Sequence, residues 1–127
     1  MNVANFLLLL VNLVLVVTGQ TLIKFGVNNI GNFSAMPFIQ FVVKAFTTIP
    51  IVVGIFLYVI STVVWLMLLS RVSLSVAYPS LSLGYLAILF VSWFYLGESV
   101  NFYQVVGVLL VIAGLSFIYT LGGAAKI

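Results

Sequence analysis

Asn12, Val16, Gln20 and Lys24 stand four residues apart in an otherwise apolar stretch. Steps of four keep helical side chains along one slowly drifting stripe. Asn5, seven residues before Asn12, falls near the same face. Polar side chains inside an apolar helix face protein or a water-filled cavity. Lys24 has two readings there: capture of an anion such as a phosphate, or snorkelling to lipid headgroups. Asn12 and Gln20 suit hydrogen bonding to a ligand or between helices. Further along, Tyr58, Ser61, Thr62 and Trp65 can share a face and line a polar cavity; packing plus an aromatic belt is the alternative. Tyr78, Ser82 and Tyr85 recur at i, i+4 and i+7. Such a face serves as a cavity wall or as a polar seam between helices.

Much chemistry is missing. The chain has no cysteine and no histidine, and Glu98 is its single acid. Thiol nucleophiles, paired carboxylates and the usual metal ligands are therefore absent. No enzymatic activity, cofactor or metal is expected. Glu98 falls at a helix end, where a carboxylate is solvated or paired more readily than it couples to transport. The formal charge of +3 rests on Lys24, Lys44, Arg71 and Lys126. Four scattered cations make no nucleic-acid footprint, but they suit contact with anionic lipid headgroups.

The elements that must position these residues follow from composition. Of 127 residues, 65% are hydrophobic and 4% charged, against about 25% charged in soluble domains. Too few polar groups remain to cover a water-facing surface, so apolar side chains must face lipid. Long, unalternating apolar runs indicate helices rather than barrel strands. An all-α membrane protein of four transmembrane helices is expected, forming a single domain over 1–127, with spans at about 5–25, 51–69, 74–96 and 103–121. With no Lys or Arg before Lys24, the first is read as a retained span rather than a signal peptide.

The connector between the first two spans opens turn-like at Val27-Asn28-Asn29-Ile30-Gly31-Asn32. Phe38, Phe41, Val42, Ala45 and Phe46 then recur at helical spacing, opposite Gln40 and Lys44. A short amphipathic helix at about 35–46, lying in the membrane interface, accounts for this. A simple extension of the second span is the alternative. Thr48 and Pro50 supply a cap and first turn for that span. Pro79 should kink the third. Gly107 and Gly114, a heptad apart, point to a helix-packing or dimer seam in the fourth, which Gly122 and Gly123 end. Arg71 and Lys126 fall on one side of the membrane, Lys24 and Lys44 on the other. That tie fixes no orientation.

Taken together, Gly19-Gln20-Thr21-Leu22-Ile23-Lys24-Phe25, the run from Arg71 to Tyr78, Gly97-Glu98 and the Gly107 to Gly114 segment resemble the small multidrug resistance superfamily of four-helix transporters. The resemblance covers nearly the whole chain. One departure is decisive for mechanism. Proton-coupled drug exporters of that superfamily carry a membrane-embedded glutamate three residues before the glycine matching Gly19; here Val16 occupies that position. A buried carboxylate has a raised pKa and exchanges protons. Without one, proton-coupled export of cations is not expected.

Gly19-Gln20 with Lys24, Ala77-Tyr78-Pro79 with Leu81-Ser82-Leu83, and Gly97-Glu98 are most similar to the 4-amino-4-deoxy-L-arabinose-phosphoundecaprenol flippase subunits. That resemblance implies a non-enzymatic subunit moving a polyprenyl-phosphate sugar across the bacterial inner membrane, paired with an identical or sister chain. Lys24 would meet the phosphate, with Arg71 as a second candidate; Asn12, Gln20, Tyr58, Trp65, Tyr78, Ser82 and Tyr85 would contact the headgroup. Two rivals stand beside it: a small-solute transporter using Tyr58, Trp65 and Tyr78 as an aromatic box, and a non-transporting assembly subunit.

Overall fold

The computed structural model describes residues 2–120. Among them every regular element is helical: α1 (Val3–Ile30), a 3₁₀ turn (Phe33–Ala35), α2 (Phe38–Thr47), α3 (Ile49–Leu69), α4 (Leu74–Ser80), α5 (Leu83–Phe94) and α6 (Phe102–Thr120). Four stretches are long and apolar enough to cross a membrane: Val3–Ala35, Ile49–Leu69, Leu74–Phe94 and Phe102–Thr120. The chain is a multi-pass membrane protein. The expected end of the fourth span, with Gly122, Gly123 and Lys126, lies outside the described residues.

The first helix is longer than its hydropathy suggests. Asn2 caps it, its side chain accepting from the Asn5 backbone N–H at 3.2 Å. It runs on through Asn28 and Asn29 to stop at Gly31, whose φ is 99°. The turn expected from Val27 therefore begins four residues later. At about 1.5 Å per residue the 28 residues extend ~42 Å, beyond a ~30 Å hydrocarbon layer, so the helix tilts or projects.

What carries α1 past the asparagines is its packing on α3. The two helices approach at glycines. A Cβ on Gly19 would lie 2.9 Å from the Gly54 carbonyl oxygen, and one on Gly54 only 2.6 Å from that of Gly19. One turn pair further on, Gly26 is covered by Ile51. Lipid tails are as apolar as the side chains, so such close contact, rather than exclusion of water, holds the pair together. The other ends of the two helices join α4 in a cluster of Leu9, Leu13, Leu68, Val72, Val76 and Ala77.

A distinct α2 fills the first connector, as expected; it is not an extension of α3. Thr48 is the residue between them, but its side chain caps nothing. Its hydroxyl donates back to the Lys44 carbonyl at 2.7 Å, while its own carbonyl accepts the N–H groups of Ile51 and Val52. Pro50 sits in the first turn of α3.

The third span is broken rather than merely kinked. Pro79 lies inside α4 and brings no N–H. Beyond it the chain tightens: Leu81, Ser82, Gly84 and Tyr85 donate to the carbonyls three residues back, at 2.9–3.1 Å. These i to i−3 bonds separate α4 from α5 at Leu81–Ser82. Asn101 and Gln104 start α6 with a reciprocal capping box, each side chain accepting the other's backbone N–H at 2.8 and 2.9 Å.

Candidate functional site

The polar stripe of α1 lines two neighbouring cavities, and Gln20 also reaches a third of about 280 Å³ with Tyr58 and Thr62. The larger, about 610 Å³, takes Asn12, Leu13, Val16 and Val17 from α1. Tyr58, Ser61, Thr62 and Trp65 of α3 form a second wall, and Tyr78 of α4 with Ser82 and Tyr85 close a third. The smaller, about 340 Å³, is lined by Val16, Gln20, Thr21, Lys24, Ser92 and Glu98 together with apolar residues of α5. Both volumes fall in the range of small-molecule sites, about 300–1,000 Å³. Val16 and Ile88 line both cavities, so the two chambers share a wall.

The large cavity offers acceptors. Ser61 and Thr62 donate their hydroxyl protons to the Tyr58 carbonyl, at 2.6 and 3.0 Å. Ser82 donates its hydroxyl proton to the Pro79 carbonyl, which also accepts the Ser82 backbone N–H. All three therefore turn oxygen lone pairs, not protons, to other partners. Asn12 is 2% exposed, and its Oδ1 has no hydrogen-bond partner among the described residues. An orphaned buried acceptor costs about 1–3 kcal/mol, which a ligand hydroxyl, amine or water would recover. Trp65 and Tyr78 meet edge to face, centroids 5.7 Å apart. No charged side chain lines this cavity.

Of the two neighbouring cavities, only the small chamber is lined by charged side chains among the described residues. Lys24 Nζ lies 3.4 Å from Glu98 Oε1. The side chains are 50% and 41% exposed, and such pairs contribute only about 0–1 kcal/mol. Lys24 is thus half exposed and paired with Glu98. Backbone geometry sets the position of Glu98. Gly97 takes a φ of 67°, which glycine adopts without steric cost, and the Glu98 N–H then reaches the Ser92 carbonyl at 2.9 Å.

Of the residues singled out from sequence, Asn12, Tyr58, Trp65, Tyr78, Ser82 and Tyr85 meet in the large cavity. Gln20 and Lys24 meet in the small one. Arg71 lines neither, being exposed in the α3–α4 connector at the other end of the helices. Gly107 and Gly114 lie on α6 where an added Cβ would meet no described atom within 4 Å. Thr21 and Ser92 were missed. Ser92 was legible: Tyr85, Ile88 and Ser92 at i, i+3 and i+7 share one helical face.

Comparison with known proteins bears on what these chambers do. The model of the EamA-like transporter family matches residues 3–120. The chain is 36% identical over 69 residues to the "Probable 4-amino-4-deoxy-L-arabinose-phosphoundecaprenol flippase subunit ArnF" of Shewanella sediminis (strain HAW-EB3), a stretch covering 51% of this chain and 46% of that protein. It is 44% identical over 55 residues to the corresponding subunit ArnE of Pseudomonas fluorescens (strain Pf0-1), covering 43% of this chain and 48% of that protein. The matches thus span about half the length of these curated relatives. No solved structure gives a significant match. With four membrane-spanning stretches enclosing two joined chambers, and a family model matched along almost its whole described length, the chain belongs to the EamA-like transporter family.

Proposed function

We propose that this protein is a non-enzymatic flippase subunit, a single four-helix domain of small multidrug resistance type. It carries a polyprenyl-phosphate-linked sugar, of the amino-arabinose class named for its relatives, across the bacterial inner membrane for lipid A or envelope modification. It acts as a homodimer or beside a sister subunit. The observation that carries this reading is the pair of neighbouring cavities along the α1 stripe. An acceptor-lined, uncharged cavity suits sugar hydroxyls, and the adjoining chamber holds Lys24 for a phosphate. The polyprenyl chain stays in lipid, and the headgroup alone crosses. Val16 in the shared wall supplies no proton-exchanging group, so transport follows the lipid gradient.

Flipping of a polyprenyl-phosphate amino sugar in proteoliposomes tests this, first with the chain alone and then with a candidate sister subunit. Lys24→Ala should slow it about tenfold or more, as expected for loss of a charge-assisted contact. Equal flipping by wild type and variant would keep the function and remove the lysine from it. The Trp65–Tyr78 pair favours one second reading, a carrier of small polar or cationic solutes. Silence with lipid, together with saturable movement of a water-soluble compound, would establish that reading instead.

A further inference from the structure

We propose that Glu98 recognises a protonated amine on the transported headgroup, so that the small chamber takes a zwitterion with its phosphate on Lys24 and its ammonium on Glu98. The inference rests on the flippase reading above and specifies the headgroup chemistry.

Four observations lead to it. Lys24 and Glu98 are the charged residues lining the chamber, and they stand 3.4 Å apart. Both are about half exposed, so a ligand can reach either. A buried pair would act as a clamp, whereas this one is weakly held and open to exchange. The Glu98 backbone is set in place by the Gly97 turn and the Ser92 carbonyl, so where its side chain leaves the chain does not depend on Lys24. Finally, the larger cavity has no charged lining. Both charged ends of a headgroup must be met in the small chamber.

The ion pair favours a ligand that replaces both of its partners. An anion entering alone would draw Lys24 away and leave Glu98 to solvent and to repulsion from the anion. A cation alone would leave Lys24 in the converse position. A ligand with both charges exchanges each partner for an equivalent one, and no charge is stranded. Gln20, Thr21 and Ser92 complete the chamber's polar lining, with Gln20 able to donate to phosphate.

The test uses the full chain in proteoliposomes, with its sister subunit where that is required. Two substrates are compared: a polyprenyl-phosphate amino sugar and the same lipid with its amine acetylated, which removes the positive charge. Wild type should flip the free amine about tenfold faster or more, the loss expected when one charge-assisted hydrogen bond is removed. Glu98→Gln should bring the two rates within about twofold of each other. A purely structural ion pair predicts otherwise: Glu98→Gln would slow both substrates and leave their ratio intact. Should that variant not insert, Gly97→Ala shifts the carboxylate without removing it and must narrow the same gap. Equal flipping of both lipids by wild type, or a ratio that survives these changes, overturns the proposal while the flippase reading stands. No flipping of either lipid overturns the flippase reading and this proposal with it. A water-soluble amino-sugar phosphate separates the two sources of the zwitterion. Its failure to cross while the lipid flips assigns the site to a lipid headgroup; its transport at comparable rate overturns that assignment.

Discussion

Gly54 is where α3 comes closest to the backbone of α1 among the described glycines. Its missing Cβ lets the α3 backbone lie against Gly19, and the two carbonyls face each other's Cα positions. A methyl group at Gly54 would lie 2.6 Å from the Gly19 carbonyl oxygen and 2.7 Å from Cγ1 of Ile23. The backbone oxygen belongs to an intact helix and cannot yield without separating the pair. Gly54→Ala should therefore cost about 1–3 kcal/mol, the range for overpacking, and lower the thermal unfolding midpoint in detergent. Gly114→Ala adds the same methyl group where it meets no described atom within 4 Å, and should leave the midpoint within error. Equal effects would mean that helix propensity, not close approach, governs both sites. A lone glycine within an apolar run has no period to reveal it, so Gly54 was not legible in the sequence. The polar stripe of α1 was legible because it repeats every four residues. Its spread over neighbouring cavities was not. Whether Gln20 shares a chamber with Asn12 depends on Val16 and Ile88 standing between them, and that is decided by a helix more than sixty residues away in sequence.

At the scale of elements, the broken third span shapes the large cavity. Pro79 was legible as a disturbance, because its ring and missing N–H act wherever it sits. The break at Leu81–Ser82 was not, because it depends on the i to i−3 bonds that follow the proline. Those bonds set Tyr78, Ser82 and Tyr85 around one wall. The Ser82 hydroxyl adds a second hydrogen bond to the Pro79 carbonyl, which the Ser82 backbone N–H already reaches. Pro79→Ala restores a backbone donor and allows α4 and α5 to run as one helix. The expected result is a thermal midpoint equal to or above wild type, since proline is disfavoured by about 3 kcal/mol in a helix interior. Flipping should fall at least severalfold as the wall rotates. Unchanged transport would show that the break is tolerated rather than used. The capping box at Asn101 and Gln104 was open to reading, as an Asn followed three residues later by Gln before an apolar run. The continuation of α1 through Asn28 and Asn29 was not, since tertiary packing at Gly26 overrides the turn preference of the asparagines.

In the whole molecule, α6 is the least buried of the four membrane-spanning stretches. Among its described residues only Val108 and Leu115 are buried, and the hydroxyl of Tyr119 is hydrogen-bonded to that of buried Ser80. Leu109, Leu110 and Phe117 are all more than half exposed. An apolar helix may meet lipid on such faces without cost, so exposure alone argues for no partner. Gly107 and Gly114 add a geometric argument. They are a heptad apart, roughly a quarter-turn from the buried Val108–Leu115 stripe at about 100° per residue, and a Cβ on either would meet no described atom within 4 Å. Small residues turned outward are of use to a helix that another backbone approaches. Gly114→Leu separates this from a lipid-facing role. Within the protomer it has room, so the thermal midpoint should move by no more than about 0.5 kcal/mol in equivalent stability. Between protomers its side chain would hold the two backbones apart. If the proposed dimer packs at this seam, chemical cross-linking in membranes should fall from dimer to monomer, and flipping should be lost with it, since the proposed cleft is shared by two subunits. Loss of the dimer with transport retained would make a single chain sufficient. Retention of both would move the seam away from Gly114, to a face of α6 where the larger side chains already fit.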